Sequence, residues 1–126
     1  MEVIVTDERD ERFIEFCKSF GCVLDDPQVV LLLVNYKSTV GCASFKIYDK
    51  YSIEIISLFV DTQNHEEISY KLIKQLEKIA IDLEFSQSYV FLNEDDLLLN
   101  IFEKLDYQIV SNDDEILIKK EFKRLI

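Results

Sequence analysis

The chain has 126 residues, 48% of them hydrophobic, which is enough for a single domain spanning 1–126 with its own core and no covalent staples. Its formal net charge is −11, and such a surface repels nucleic-acid backbone and anionic membrane, so neither is an expected partner. Three cysteines (Cys17, Cys22, Cys42) without C-x-x-C spacing and a lone histidine, His65, exclude a disulfide framework, a closed zinc site and a pair of catalytic histidines. The first twelve residues turn acidic before any apolar run long enough for a signal peptide or membrane span, which predicts a cytoplasmic protein.

Residues 1–5 alternate as a short strand. Phe13, Phe16, Cys17 and Phe20 follow at helical spacing until Gly21 stops the helix. Pro27 closes an acidic loop, and residues 29–36, 40–48 and 51–60 then read as three consecutive antiparallel strands, joined by turns at 37–39 and 49–50. Ile68, Leu72, Leu76, Ile79 and Leu83 repeat every three or four residues. That spacing predicts a long amphipathic helix beginning near His65, with Lys71, Lys74 and Lys78 off its apolar stripe. Residues 89–92 form the next strand. Asn93 reads as a helix cap with carboxylates in the first turn, and Leu97, Ile101, Phe102 and Leu105 as a buried stripe. A hairpin closes the chain, with strands at 107–110 and 116–122 around a turn at 111–114. The expectation is a mixed α+β fold in the order β-α-β-β-β-α-β-α-β-β. The strand, long helix and strand between 51 and 92 call for a parallel pair with a right-handed crossover.

Three segments, in order, resemble the GNAT family of N-acetyltransferases. V-G-C-A-S-F (Val40 to Phe45) is similar to the family's V-G-x-A-x strand. E-I-I-S-L-F-V (Glu54 to Val60), followed by Asp61, is similar to its E-I-x-x-L-x-V-D strand. L-N-E-D-D-L-L-L-N-I-F-E-K-L-D-Y (Leu92 to Tyr107) is similar to the family's L-N-x-x-N-x-x-A-x-x-x-Y-E-K-L-G-F segment. The resemblance implies a V-shaped split in the sheet that holds acetyl-CoA as co-substrate. The pantetheine arm would run along the strand ending at Phe59 and Val60, and the pyrophosphate would sit on the helix start at His65, Ile68, Ser69 and Tyr70. Asn93 would touch the coenzyme or cap its helix. A helix start suits phosphate on general grounds, through its unpaired N–H groups and positive dipole end.

The implied activity is transfer of an acetyl group from acetyl-CoA to a substrate amine by direct attack. Glu54 is then either the base that takes the amine proton or a solvated cross-strand residue. The acidic balance suits a cationic small-molecule or peptide amine, and it equally suits a merely solvated surface. Two departures from the family pattern support an alternative, a GNAT-like binding module that has lost acetyl-CoA use. His65 to Ser69 reads H-E-E-I-S, with no glycine and with Glu66 and Glu67 where phosphates would lie. Phe102 stands where the family's general-acid tyrosine is expected, and Tyr107 reads as core. Asp106, in place of glycine, ends the preceding helix. A homodimer through an exposed strand is compatible with both readings.

Overall fold

The computed structural model describes residues 1–21, 27–61, 65–93 and 96–122. Cys22, the acidic residues Asp25, Asp26, Glu94 and Asp95, and the three positions ahead of His65 lie outside the described residues. The elements follow the expected order: β1 (Glu2–Thr6), α1 (Glu11–Ser19), β2 (Val29–Asn35), β3 (Ser38–Asp49), β4 (Ser52–Val60), α2 (His65–Asp82), β5 (Gln87–Leu92), α3 (Leu98–Lys104), β6 (Gln108–Asn112) and β7 (Ile116–Glu121). The strands form one 7-stranded sheet in the order β1-β2-β3-β4-β5-β7-β6.

Each helix covers a different part of this sheet. Asp10 caps α1 by accepting a hydrogen bond from the Arg12 backbone N–H, and Gly21, at φ +67°, takes the left-handed position just past its end. The buried face of α1 (Phe13, Phe16, Cys17) packs on Val30, Leu32 and Cys42, one face of β2 and β3. The opposite face carries the larger core, in which Ile68, Leu72, Ile73, Leu76 and Ala80 of α2 cover Leu31, Leu33, Ala43 and Phe45. Burial on both sides explains why β2 reads as a continuous apolar run and does not alternate. Gly41 permits the close approach of α2: a Cβ there would meet Leu72 Cδ1 at 3.4 Å and the Phe59 carbonyl at 3.4 Å.

Two local expectations are corrected. The β2–β3 hairpin is tighter than the 37–39 turn the sequence suggests, because Tyr36 takes φ 59° and the chain reverses over Tyr36 and Lys37. Asn93 does not cap α3. Asp96 fills that role, accepting from the Leu98 N–H at 2.9 Å, while the Asn93 carbonyl accepts from the Asp96 N–H at 3.0 Å. The first turn of α3 holds no acidic residue, so the helix starts later than the apolar stripe alone indicates. Asp106 does adopt the left-handed conformation, at φ 72°, as the end of α3 requires.

Candidate functional site

The site begins with one surplus residue in β4. Ser44 of β3 pairs with Ser57 and Phe45 pairs with Ile55, so Ile56 is a bulge. Side-chain parity changes there: Ile53 and Ile55 before the bulge, and Leu58 and Val60 after it, all point into the core beneath α2. The parallel pairing of β4 with β5 covers Ser52↔Gln87 to Ile55↔Val90 and stops at the same point. Beyond it β4 remains paired to β3 as far as Gly41↔Val60, while its other edge faces a groove of about 150 Å³.

The groove is apolar. β4 supplies Ile56, Leu58 and Phe59, β5 supplies Phe91 and Leu92, and α3 closes the far end with Leu98 and Phe102. Ser57 and Asp96 are the polar side chains that line it among the described residues. The Ser57 hydroxyl is hydrogen-bonded to that of Ser44, both buried at the bulge. Such a channel, apolar in its side chains and polar along one strand edge, suits an extended arm that carries amides and an alkyl thioester.

The structure brings some of the expected residues together and separates others. Phe59 lines the groove and stacks on Phe20, the C-cap of α1, with ring centroids 5.0 Å apart. Val60 ends β4 with its side chain in the core. His65 opens α2 and is exposed. Ile68 is core. Ser69 is fully buried, and its Oγ has no hydrogen-bond partner among the described residues. Tyr70 is not brought to the groove: it lies on the outer face of α2, with Lys74 Nζ 5.9 Å from its ring centre. Glu67 shares that outer face, and Glu66 is ion-paired with Lys104 of α3 at 2.6 Å. Glu66 is therefore not an unopposed negative charge at the helix start. Asn93, just past β5, is exposed.

Glu54 lies just before the bulge on the sheet face opposite α2, half-buried, in register with Lys46 on one side and Tyr89 on the other. Lys119 of β7 continues the row, its Nζ 5.7 Å from the centre of the Tyr89 ring, and Tyr48 packs on the same ring at 4.7 Å. Tyr107 is core, as its position after the α3 turn suggests. Its hydroxyl donates to Ser88 Oγ at 2.8 Å, and its ring meets Phe102 edge-on at 4.9 Å. Burial, and behind it the Glu77 carboxylate, push the Tyr107 hydroxyl well above its ordinary range, so it stays protonated. Sequence reasoning missed Ser57, Asp96 and Phe20; the bulge that aims Ser57 leaves no compositional signal in a strand of alternating bulk.

The residues present fit the coenzyme's arm. A strand edge with no ladder partner among the described residues would meet its amides, the apolar walls would meet its alkyl carbons, and the Ser69 hydroxyl, without a partner among the described residues, stands in the second turn of α2. No family model matches the chain, and no curated protein sequence matches it. Solved structures do. An aminoglycoside 6'-acetyltransferase type Ii superposes with a TM-score of 0.81 at 17% identity, over 99% of this chain and 100% of that one. The aminoglycoside 6'-N-acetyltransferase from Enterococcus faecium gives 0.78 at 16%, over 100% of each chain. A Thermoplasma acidophilum N-acetyltransferase in complex with coenzyme A gives 0.72 at 12%, over 97% of this chain and 100% of that one. With the bulged β4, its parting from β5 and the crossover helix between them, these superpositions identify the fold of the chain as that of the GNAT N-acetyltransferases.

Proposed function

We propose that the chain is an acyl-CoA-dependent N-acetyltransferase that moves an acetyl group from acetyl-CoA to a substrate amine by direct attack. The observation that carries this reading is the edge of β4 beyond Ile55, which has no strand partner among the described residues and lies in an apolar groove between β4, β5 and α3. Acetyl-CoA supplies the activated thioester. The protein holds the arm along β4, and backbone N–H groups of that edge polarise the thioester carbonyl. The amine nitrogen bonds to the carbonyl carbon, the carbon–sulfur bond breaks and the thiolate departs, to be protonated from water. Glu54 takes the amine proton, directly or through water, from the face opposite α2. The net charge favours a cationic acceptor among small-molecule or peptide amines.

A second reading, a binding module without acetyl transfer, is favoured by the acid position. Phe102 has no hydroxyl, and that of Tyr107 is committed to Ser88 in the core. Calorimetric titration with acetyl-CoA and with CoA separates the two. The transferase reading expects micromolar dissociation constants, and absent or millimolar binding of both would promote the module.

A further inference from the structure

The outer face of α2 opposes the rest of the molecule in charge. Lys71, Lys74 and Lys78 line one shallow hollow of about 630 Å³, and none of them is in an ion pair among the described residues. Tyr70 and Ile81, 41% and 37% exposed, place apolar surface beside these cations; of the two carboxylates in the same hollow, Glu77 is already neutralised by Lys120, and Glu67 leaves the three lysines in excess. In a chain with net charge −11, a cationic and partly apolar strip is complementary to a protein more acidic than itself.

We propose that this strip docks an acidic acyl-carrier protein, whose phosphopantetheine arm delivers the acyl thioester into the groove beside β4. The proposal rests on the acyl-transfer reading and adds a second thioester donor beside acetyl-CoA. Coenzyme A brings a pyrophosphate and a further phosphate on its ribose, and a close backbone approach to such a group calls for glycine. A phosphopantetheine arm brings one phosphate, which the N–H groups of a single helix start can hold. The start of α2 has no glycine, and its Glu66 is held by Lys104. Along the axis Lys71 is about 9 Å, and Lys78 about 20 Å, from His65. A body seated on the lysines therefore lies within about 20 Å, along the helix axis, of the helix start that would hold the arm's phosphate. The chemistry is unchanged: the amine nitrogen bonds to the acyl carbon, the carbon–sulfur bond breaks, and the thiolate stays on the carrier, to be protonated from water.

The test compares three acetyl donors with one amine acceptor: an acetylated, phosphopantetheinylated acyl-carrier protein, acetyl-pantetheine and acetyl-CoA. The wild type is expected to use the carrier at least about tenfold better than acetyl-pantetheine, as kcat/KM, with the advantage fading as salt rises from 50 to 500 mM. Lys71→Glu/Lys74→Glu/Lys78→Glu is expected to abolish that advantage and leave acetyl-pantetheine turnover within about twofold. Equal use of carrier and acetyl-pantetheine, or a triple variant that keeps the carrier advantage, overturns the proposal. So does recruitment to phosphatidylserine vesicles with the same lysine dependence, which would assign the strip to a lipid surface. Calorimetry with the unacylated carrier separates the two layers: binding lost in the triple variant, with no turnover from any donor, keeps the dock and refutes the transferase reading of the groove.

Discussion

Glu54 and Phe102 make separable claims about one transfer step. Glutamine at 54 keeps the shape of the side chain and its place between Lys46 and Tyr89 but cannot take a proton. Glu54→Gln is expected to slow turnover at neutral pH by about a hundredfold while acetyl-CoA affinity, measured by calorimetry, stays unchanged. Normal turnover would remove Glu54 from the mechanism. Phe102 is 1% exposed and packed edge-on against Tyr107, so a hydroxyl added to its ring has no assigned partner. Phe102→Tyr is expected to lower stability by about 1 to 3 kcal/mol in denaturant titration. Unchanged stability with faster turnover would instead mean that the hydroxyl reaches the groove and supplies the missing acid. Asp10 makes a claim about pH. The Arg12 guanidinium, and after it the Thr6 hydroxyl, hold its carboxyl at about 2, below the ordinary 3.8. A depressed value in the folded state means stability that is present above the ordinary value and lost as pH falls toward the depressed one. Asp10→Asn keeps the cap acceptor without the charge, so thermal melts of wild type and variant should differ near neutral pH and converge between about pH 4 and pH 2.

At the scale of elements, α2 is fastened to the C-terminal hairpin by a part-buried ion pair. Lys120 Nζ of β7 donates to both carboxylate oxygens of Glu77, at 2.9 and 3.2 Å, and lies over the Tyr107 ring. Removing one partner leaves the other charge without its counterion, so Glu77→Gln is expected to cost about 3 kcal/mol, read as a shift in the denaturant midpoint. A cost below about 0.5 kcal/mol would show that Lys120, 17% exposed in its side chain, simply turns to water. The sequence displays the apolar side of this helix openly, since Ile68, Leu72 and Leu76 mark its face. It hides the Glu77–Lys120 contact, because the two residues lie 43 positions apart on elements whose mutual placement only the sheet order decides. The same distinction holds for the site. Glu54 to Val60 is legible as a strand from composition and from family likeness, but composition does not reveal that Ile56 is its surplus residue. The start of α3 is hidden for a related reason: Asn93 and Asp96 are both good caps, and composition does not choose between them.

The molecule as a whole joins two sheet halves, β1 to β4 and β5 to β6, through a short parallel seam with α2 packed across the larger core. No helix among the described residues is long and apolar enough to cross a membrane. The interruption of the seam at Ile56 has a consequence that isotope exchange can read one amide at a time. In Ser57 to Val60, amides directed at β3 sit in a ladder and should lose their protons slowly. Those directed at the groove have no strand opposite them among the described residues and should exchange rapidly, so one short stretch of chain would show two protection classes. An arm laid in the groove would act as a surrogate strand. Acetyl-CoA is therefore expected to slow the fast class selectively and leave the slow class unchanged; equal rates in both classes without ligand would mean that this edge finds partners of its own.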